Sequence, residues 1–418
     1  MLGHLLTVGD EILLGQVVDT NAAWLGERLA GAGVDLRRAE TVGDDEGAIA
    51  RALERAYADG AAVVVVTGGL GPTHDDVTKE AVARVFGRAL RFHPDLYEAI
   101  EARYLSRGRA MPAIGRVMAE VPEGFEVLAN AKGTAPGLWG EREAGGRAQI
   151  VVVMPGVPYE MQAMTERHVL PRLVERQDGV VLSRTLLTVG RGESDLSGML
   201  RGLSDSITDG LSLAYLPNLG SVRLRVTARG PDRAAAQASV DRAVEAIRAA
   251  LGQLVFGEGD TTLEAVVNDM LAARGLTLGL AESCTGGAVA ARVAAVPGAS
   301  RVLCGAVVAY DNAIKEHVLG VDKRAMIEDG AVSERAALQM ARGARRALGS
   351  DVGLATTGIA GPTGGTPEKP VGTVWLAYVD AETEHAVGLR FTTDRAVNIG
   401  LTATMALDLV RRQLLRKG

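Results

Sequence analysis

The chain has 418 residues, 47% hydrophobic and 23% charged, and its 45 basic and 51 acidic side chains leave a formal charge of −6. That length spans two or three domains at ~150 residues each, and the composition excludes a disordered chain, which pairs low hydrophobicity with high net charge. The acidic balance, with aromatics at 4%, excludes a dominant nucleic-acid or anionic-membrane footprint, though not a local pocket for a small anion.

The first residues, MLGHLLTVGDE, lack a basic stretch followed by a long apolar run, so no secretory leader is expected. Apolar runs such as 61–66 and 150–154 have strand length and do not span a bilayer, and a cytoplasmic protein is the expectation. Residues 5–8 read as a strand, and 22–32 as a helix with Trp24, Leu25 and Leu29 on one face. A strand opens at 34–36, Asp45 can cap a helix running to Tyr57, and 61–67 is a buried strand. A Gly-rich loop leads to a helix over 76–86, and 150–154 is a further strand, giving a βαβ pattern and a mainly parallel sheet. From about 171 to 252 the texture changes to strands over 180–189 and 221–228 and helices over 193–203 and 232–250, a small α+β unit. Val222, Leu224 and Val226 alternate there with Arg223, Arg225 and Thr227, which reads as a half-solvated strand. The βα alternation returns with a helix at 263–274 and strands at 276–281 and 303–310. Ser333 can cap a helix to 348, strands follow at 352–356 and 373–379, and a helix over 394–415 closes the chain.

Glycine is abundant, 52 residues or about 12% against a typical ~7%. It gathers in short loops, where backbone can approach a ligand. Three such loops follow strands in the first half: Val8-Gly9-Asp10-Glu11, Thr67 to Asp76, and Met154 to Glu160. In open α/β sheets ligands bind at the carboxyl ends of strands. Gly68, Gly69 and Gly71 let amides approach a phosphate, while Asp10, Glu11, Asp75, Asp76 and Glu160 offer hard oxygen ligands to a divalent ion. A metal beside a phosphate cradle suggests phosphoryl chemistry. Asp75 or Asp76 can instead cap the next helix, Asp19 fits a turn or cap, and His74 fits a loop filler better than a ligand.

In the second half Ser283 sits where a strand ends and Gly286-Gly287 begins a helix, whose free N–H groups favour an oxyanion. Tyr310 and Lys315 follow, and a lysine held neutral by burial can activate a hydroxyl. His317, two residues on, points away from Lys315 on a helix. Cys284 is the rival nucleophile, although no histidine is placed to activate it. Thr357, Gly358 and Gly361 belong to a second strand-end loop, and Arg395 can grip a phosphate or pair with Asp394 or Glu384. Lys315 can also be a plain surface charge, and Thr357 a strand-end hydroxyl that caps backbone. Two cysteines, Cys284 and Cys304, make neither a disulfide framework nor a four-cysteine zinc site.

The strings GDEILLGQVVDTN, TGGLGPTHDD, KGTAPG and MPGVPYEM resemble the molybdopterin-binding fold, in the version carried by the CinA (competence/damage-inducible) family. AESCTGG, GAVVAYDNAIKEHVLGV, GAVSE, TTGIAGPTGGTPEKPVGTVW and FTTDRA resemble that family's C-terminal domain, over essentially all of 261–415. The resemblance implies two three-layer α/β domains, molybdopterin-binding-like over 1–170 and CinA C-terminal over 256–418, joined by a small α+β domain over 171–255. For the front domain it implies an ADP-ribose pyrophosphatase dependent on magnesium or a similar divalent metal and on potassium. Asp10, Glu11, Asp75, Asp76 and Glu160 would then meet the metal, and Gly68, Gly69, Gly71 and Thr134 the diphosphate. For the rear domain it implies nicotinamide-nucleotide amidohydrolase (NMN deamidase) activity with no cofactor. Ser283 would be the nucleophile, Lys315 its base, Tyr310 and Thr357 supporting hydroxyls, and Arg395 the phosphate anchor, with Thr285, Gly286, Gly287, Gly358 and Gly361 lining the substrate. It also implies a homodimer, while the charge balance and the short apolar runs lead to the expectation of no stable nucleic-acid or membrane partner. The competing expectations are a molybdopterin-binding protein with a regulatory tail, and a competence adaptor without catalysis.

Overall fold

The computed structural model describes residues 1–177, 179–204 and 210–417. They fall into two units, Met1–Leu182 with Arg229–Ala236 and Ser183–Ala228 with Gln237–Gly418. No helix among the described residues is long and apolar enough to cross a membrane.

The first unit carries β1 (Leu2–Val8), β2 (Asp35–Val42), β3 (Val63–Thr67), β4 (Leu90–Phe92), β5 (Glu120–Pro122), β6 (Glu126–Leu128), β7 (Gly137–Ala144) and β8 (Arg147–Met154). Six make one sheet in the order β2-β1-β3-β8-β7-β6, while β4 and β5 pair separately. The layering follows from the period of two along β3. Val64 and Val66 pack with Ile49, Leu53 and Tyr57 of the Glu46–Ala58 helix. Val63 and Val65 pack on the other side with Leu25 and Leu29 of the Thr20–Gly31 helix. A strand buried on both faces reads as a continuous apolar run, as this one does, and each buried valine contributes about 1.5–3 kcal/mol.

β1, β2, β3 and β8 run parallel, but β7 and β6 are antiparallel additions, so the mainly parallel sheet expected from sequence has an antiparallel edge. Gly145 and Gly146, at φ +61 and +72, make the β7–β8 turn, a two-residue hairpin geometry that suits glycine. The helix expected from residue 76 starts at Thr78, because the Asp76 side chain folds back onto its own loop. A helix over Pro94–Ser106 was not visible as a pattern; its only buried residue is Ile100.

The small α+β sheet contains β9 (Val180–Val189), β10 (Leu211–Asn218), β11 (Ser221–Gly230) and β12 (Val255–Glu258), in the order β10-β11-β9-β12. Val222, Leu224 and Val226 are buried and Arg223 and Arg225 half-buried, as their alternation predicts, whereas Thr227, expected on the solvated side, is buried with its hydroxyl against that of Ser183.

The last sheet joins β13 (Leu278–Glu282), β14 (Leu303–Val308), β15 (Val352–Gly358), β16 (Thr373–Val379) and β17 (Glu384–Arg390) in the order β14-β13-β15-β16-β17. The first three are parallel, and the last two antiparallel. Leu278, Leu280, Val352 and Leu354 pack with Leu407 and Val410 of the Arg395–Arg416 helix. Ala281 and Ala355 pack oppositely with Met340, Ala341 and Ala344 of the Glu334–Leu348 helix. That helix lies so close that a Cβ on Gly353 would strike the Ala341 carbonyl, and one on Gly343 the Leu319 carbonyl. Ser333, Asp45 and Asp394 cap their helices through side-chain oxygens, as N-cap chemistry predicts.

Candidate functional site

In the first unit the loops after β1, β3 and β8 meet around a cavity of about 550 Å³. Glu11, Gly68, Gly69, Gly71, Asp75, Asp76, Thr134 and Glu160 line it, whereas Asp10 does not. The loop after β3 is shaped by glycine: Gly68 and Gly69 sit at φ +110 and +63, and a Cβ on either would meet the Val8 carbonyl or the Thr78 hydroxyl. The amides expected to greet a phosphate are largely committed. Gly68 N donates to Met154 O at 3.0 Å and Gly71 N to Asp76 Oδ1 at 2.7 Å. Of the three glycine amides, only that of Gly69 has no protein partner among the described residues.

The carboxylates are similarly occupied. Asp76 Oδ2 accepts from Thr73 N at 2.8 Å and from the Thr73 hydroxyl, so Asp76 organises its own loop. Glu160 is buried, accepts from Asn130 Nδ2 at 2.7 Å and lies against Gly133. Asp10 exchanges hydrogen bonds with the backbone and carboxylate of Asp44. Asp19, as a cap, accepts from Ala22 N. Burial pushes the Asp44 carboxyl above the usual carboxylate range, and the nearby charges of Asp10, Glu11 and Asp75 add to this. No three His, Cys, Asp or Glu side chains among the described residues converge closely enough to hold a metal ion. The five carboxylates named from sequence therefore do not form a ligand set: Asp76 serves the loop that carries it, Glu160 is tied to Asn130 and Asp10 to Asp44. Asp44 and Asn130 were missed by sequence reasoning, since each acts through a partner distant in the chain.

In the second unit a cavity of about 290 Å³ is lined by Ser283, Cys284, Tyr310, Asn312, Lys315, Ala331, Val332, Thr357–Gly361, Thr363, Gly364 and Arg395. The structure thus brings Ser283, Tyr310, Lys315, Thr357, Gly358, Gly361 and Arg395 together, from four separate segments. Thr285, Gly286 and Gly287 do not line it. The Thr285 hydroxyl instead meets that of Thr356 at 2.7 Å.

The helix N-terminus expected to face an oxyanion is taken. Glu282, buried at the end of β13, accepts from Gly287 N at 3.0 Å, Val289 N at 3.1 Å and Ala290 N at 2.8 Å. The amides of Cys284 and Thr285 retain no carbonyl or carboxylate partner among the described residues. Ser283 is 8% exposed, and its hydroxyl makes no protein hydrogen bond among the described residues. Lys315 is only 2% exposed. Its Nζ donates to Asn312 Oδ1 at 3.2 Å and Tyr310 O at 3.4 Å, with no carboxylate at ion-pair distance among the described residues. Burial pushes its amine below the ordinary lysine range, against the raising influence of Asp311 and Cys284. Lys315 is therefore no surface charge.

Burial, aided by the charge of Glu282 and opposed by Lys315 and Arg395, pushes the Cys284 thiol up to about 12. A thiol held protonated is a poor nucleophile, which favours the hydroxyl. Arg395 pairs with neither Asp394 nor Glu384 in the structure. Its Nη1 donates to Gly361 O at 2.8 Å and its Nη2 to the Tyr310 hydroxyl. Thr357 donates to Ala331 O at 2.8 Å, joining the cavity floor to the loop before the Glu334–Leu348 helix. Lys369 binds that loop too, through Val332 O at 2.8 Å and Asp329 O. Neither Asn312 nor this loop was anticipated; Asn312 is the side chain that orients the lysine.

A family model described as the CinA C-terminal domain matches residues 260–414. One described as a probable molybdopterin binding domain matches 4–175, and the damage-inducible protein CinA KH domain matches 183–257. A CinA-like protein of Salinibacter ruber is 50% identical over 416 residues, covering 99% of this chain and 100% of that protein. A CinA-like protein of Gemmatimonas aurantiaca is 43% identical over 419 residues, covering 99% and 96%. Among solved structures, the protein CinA with unknown function from Thermoplasma acidophilum is 37% identical and covers 41% of this chain and 97% of its own, with a TM-score of 0.36.

Proposed function

Because the chain belongs to the CinA family, we propose that its rear cavity hydrolyses the carboxamide of nicotinamide mononucleotide to nicotinate mononucleotide and ammonia. The observation that carries this reading is the convergence of a hydroxyl, a buried amine and an arginine on one cavity. Ser283 Oγ attacks the carboxamide carbon while Lys315 Nζ, favoured as the neutral amine, takes the hydroxyl proton. The tetrahedral oxyanion is met by the Cys284 and Thr285 amides, the donors of this loop with no carbonyl or carboxylate partner among the described residues. Its collapse breaks the C–N bond, and Lys315 returns the proton to the departing ammonia. Water, activated by the same amine, then cleaves the acyl-serine and restores the hydroxyl. Arg395 keeps donor capacity beyond its two existing hydrogen bonds, and with Tyr310 it anchors the phosphate. The test is ammonia release from nicotinamide mononucleotide by the full chain, with Ser283→Ala as control. Release that does not exceed the control removes the proposal and leaves a binding or adaptor role for this half.

A second reading concerns the front cavity. Its lining holds Glu11, Asp19, Asp44, Asp75, Asp76 and Glu160 and, among the described residues, no lysine or arginine. A diphosphate such as that of ADP-ribose meets net repulsion there unless it enters with its own cation. We therefore assign this cavity to a nucleotide diphosphate delivered as a cation complex, with Gly69 and Thr134 as its polar contacts. ADP-ribose cleavage with and without chelator tests this; cleavage unaffected by chelator, or no cleavage at all, rejects it. We place both activities in one soluble, homodimeric enzyme of pyridine-nucleotide recycling.

A further inference from the structure

We infer that Glu282 is the positioning residue of the nucleophile loop: its carboxylate reaches over residues 283–286, grips the first turn of the next helix and so holds Ser283 at the cavity wall. The inference rests on Ser283 acting as the nucleophile. The main chain of Glu282 is fixed within the sheet, opposite Val308 on one side and Thr356 on the other. The Glu282 carbonyl accepts from Ala309 N at 2.7 Å, and Ser283 N donates to Thr356 O at 2.9 Å. From this anchored strand end the side chain, 1% exposed, passes back and receives three amides of the Ala288–Ala294 helix and its cap: Gly287 and Val289 on Oε2, and Ala290 on Oε1. Gly286 and Gly287, at φ +59 and +102, let the chain fold back on itself. One carboxylate thereby ties both ends of a four-residue loop, and Ser283 and Cys284, the two residues of that loop that line the cavity, have little freedom left.

The negative charge has no cationic side chain at ion-pair distance among the described residues, so only amide dipoles answer it. Charge-assisted hydrogen bonds of this kind are about twice as strong as neutral ones. The same charge acts on the next residue but one. Cys284 feels burial and Glu282 in one direction and Lys315 and Arg395 in the other, with the balance toward the thiol. Glu282 thus steadies the hydroxyl and adds to the burial that keeps the sulfur beside it a thiol.

Glu282→Gln keeps the shape and exchanges one acceptor oxygen for an amide that cannot accept. The full chain is assayed on a Cys304→Ala background, because Cys304 is exposed and would itself react. Two readouts are taken: kcat and KM for ammonia release from nicotinamide mononucleotide, and the rate of Cys284 alkylation by iodoacetamide at pH 8. The expected result is a kcat at least tenfold lower, a KM within threefold, and alkylation at least tenfold faster. An unchanged kcat overturns the positioning role. A lower kcat with unchanged alkylation also overturns it, since the carboxylate then has no hold on the residue beside the nucleophile; a melting curve taken alongside separates this from a loss of fold, which would expose the buried Cys284 and speed its alkylation by itself. If the Gln variant does not fold, Glu282→Asp, which keeps the charge but shortens the reach, replaces it; parental kcat there overturns the inference, and a tenfold loss with slow alkylation retained supports it. Failure of the parent protein to release ammonia rejects the amidase reading alone, because the alkylation contrast still reports on the clamp.

Discussion

Replacing Lys315 by methionine leaves an apolar chain of similar length in the cavity wall and removes the amine. Lys315 is 2% exposed, and its Nζ has two neutral acceptors at 3.2 and 3.4 Å. In the variant, Asn312 Oδ1 and Tyr310 O each lose one long hydrogen bond, about 1 kcal/mol apiece. Burying an apolar tip instead of an amine offsets part of that, so the melting temperature falls by only a few degrees. Catalysis has no such compensation. A positioned base supplies roughly 10²–10⁴ in rate, which is about 3–5.5 kcal/mol at ~1.4 kcal/mol per tenfold. The assay is ammonia release from nicotinamide mononucleotide across pH, beside a melting curve. Because burial lowers the lysine pKa, the neutral fraction grows as pH rises, so the parent's kcat/KM climbs on the acid side and the variant's profile is flat there. Stability has the same sign. A lysine whose folded pKa is depressed favours folding increasingly as pH rises from that value toward its unfolded one, and the methionine variant loses this slope. Turnover within tenfold of the parent, or an acid limb that survives the substitution, refutes Lys315 as the base.

Arg395→Ala releases Gly361 O and the Tyr310 hydroxyl and raises KM for nicotinamide mononucleotide about tenfold or more; an equal rise for nicotinamide riboside, which has no phosphate, contradicts the anchor role. Asp76→Ala strips partners from Gly71 N and Thr73 N, a loss of about 1–3 kcal/mol in that loop. It abolishes ADP-ribose cleavage and leaves ammonia release intact, whereas loss of both activities means the whole chain has unfolded. For Asp380, burial alone would raise the carboxyl pKa, but hydrogen bonds from Lys417, Tyr378 and the Glu382 and Thr383 amides outweigh it and hold the pKa at about 2. Its stabilisation, ~2 kcal/mol, is complete above the unfolded carboxylate range and vanishes as pH falls toward 2; Lys417→Met blunts that acid-side loss in urea titrations, and an unaltered pH slope discounts the pair.

Ser283, Tyr310, Lys315, Thr357 and Arg395 were legible because each sits beside a strand end or helix start that hydrophobic runs and glycines mark in the chain. The three-layer folds were legible for the same reason: Val63–Val66 can be buried only between two layers. Edge strands left no such mark. β10 and β17 are mostly half-exposed, so neither alternation nor a solid apolar run appears. The roles of polar side chains were the least legible. Glu282 and Asp76 are ordinary acids in the sequence, and only the folded backbone decides that their oxygens face amides rather than a ligand or a metal. The same holds for Gly68 and Gly71, whose conformational freedom was anticipated but whose N–H groups were already spent on Met154 and Asp76.

The glycines where the Glu334–Leu348 helix meets β15 and the Leu319 carbonyl impose a mechanical limit. With Gly353 beneath the Ala341 carbonyl and Gly343 against Leu319, sliding the helix by one residue, about 1.5 Å, would drive a methyl-bearing neighbour into backbone. The helix is keyed in place like a notched beam, and the loop hung from its start, with the Ala331 oxygen that receives Thr357, inherits that fixity. One wall of the rear cavity is thereby indexed to the sheet itself, so a ligand entering there must adjust to the protein more than the protein adjusts to it.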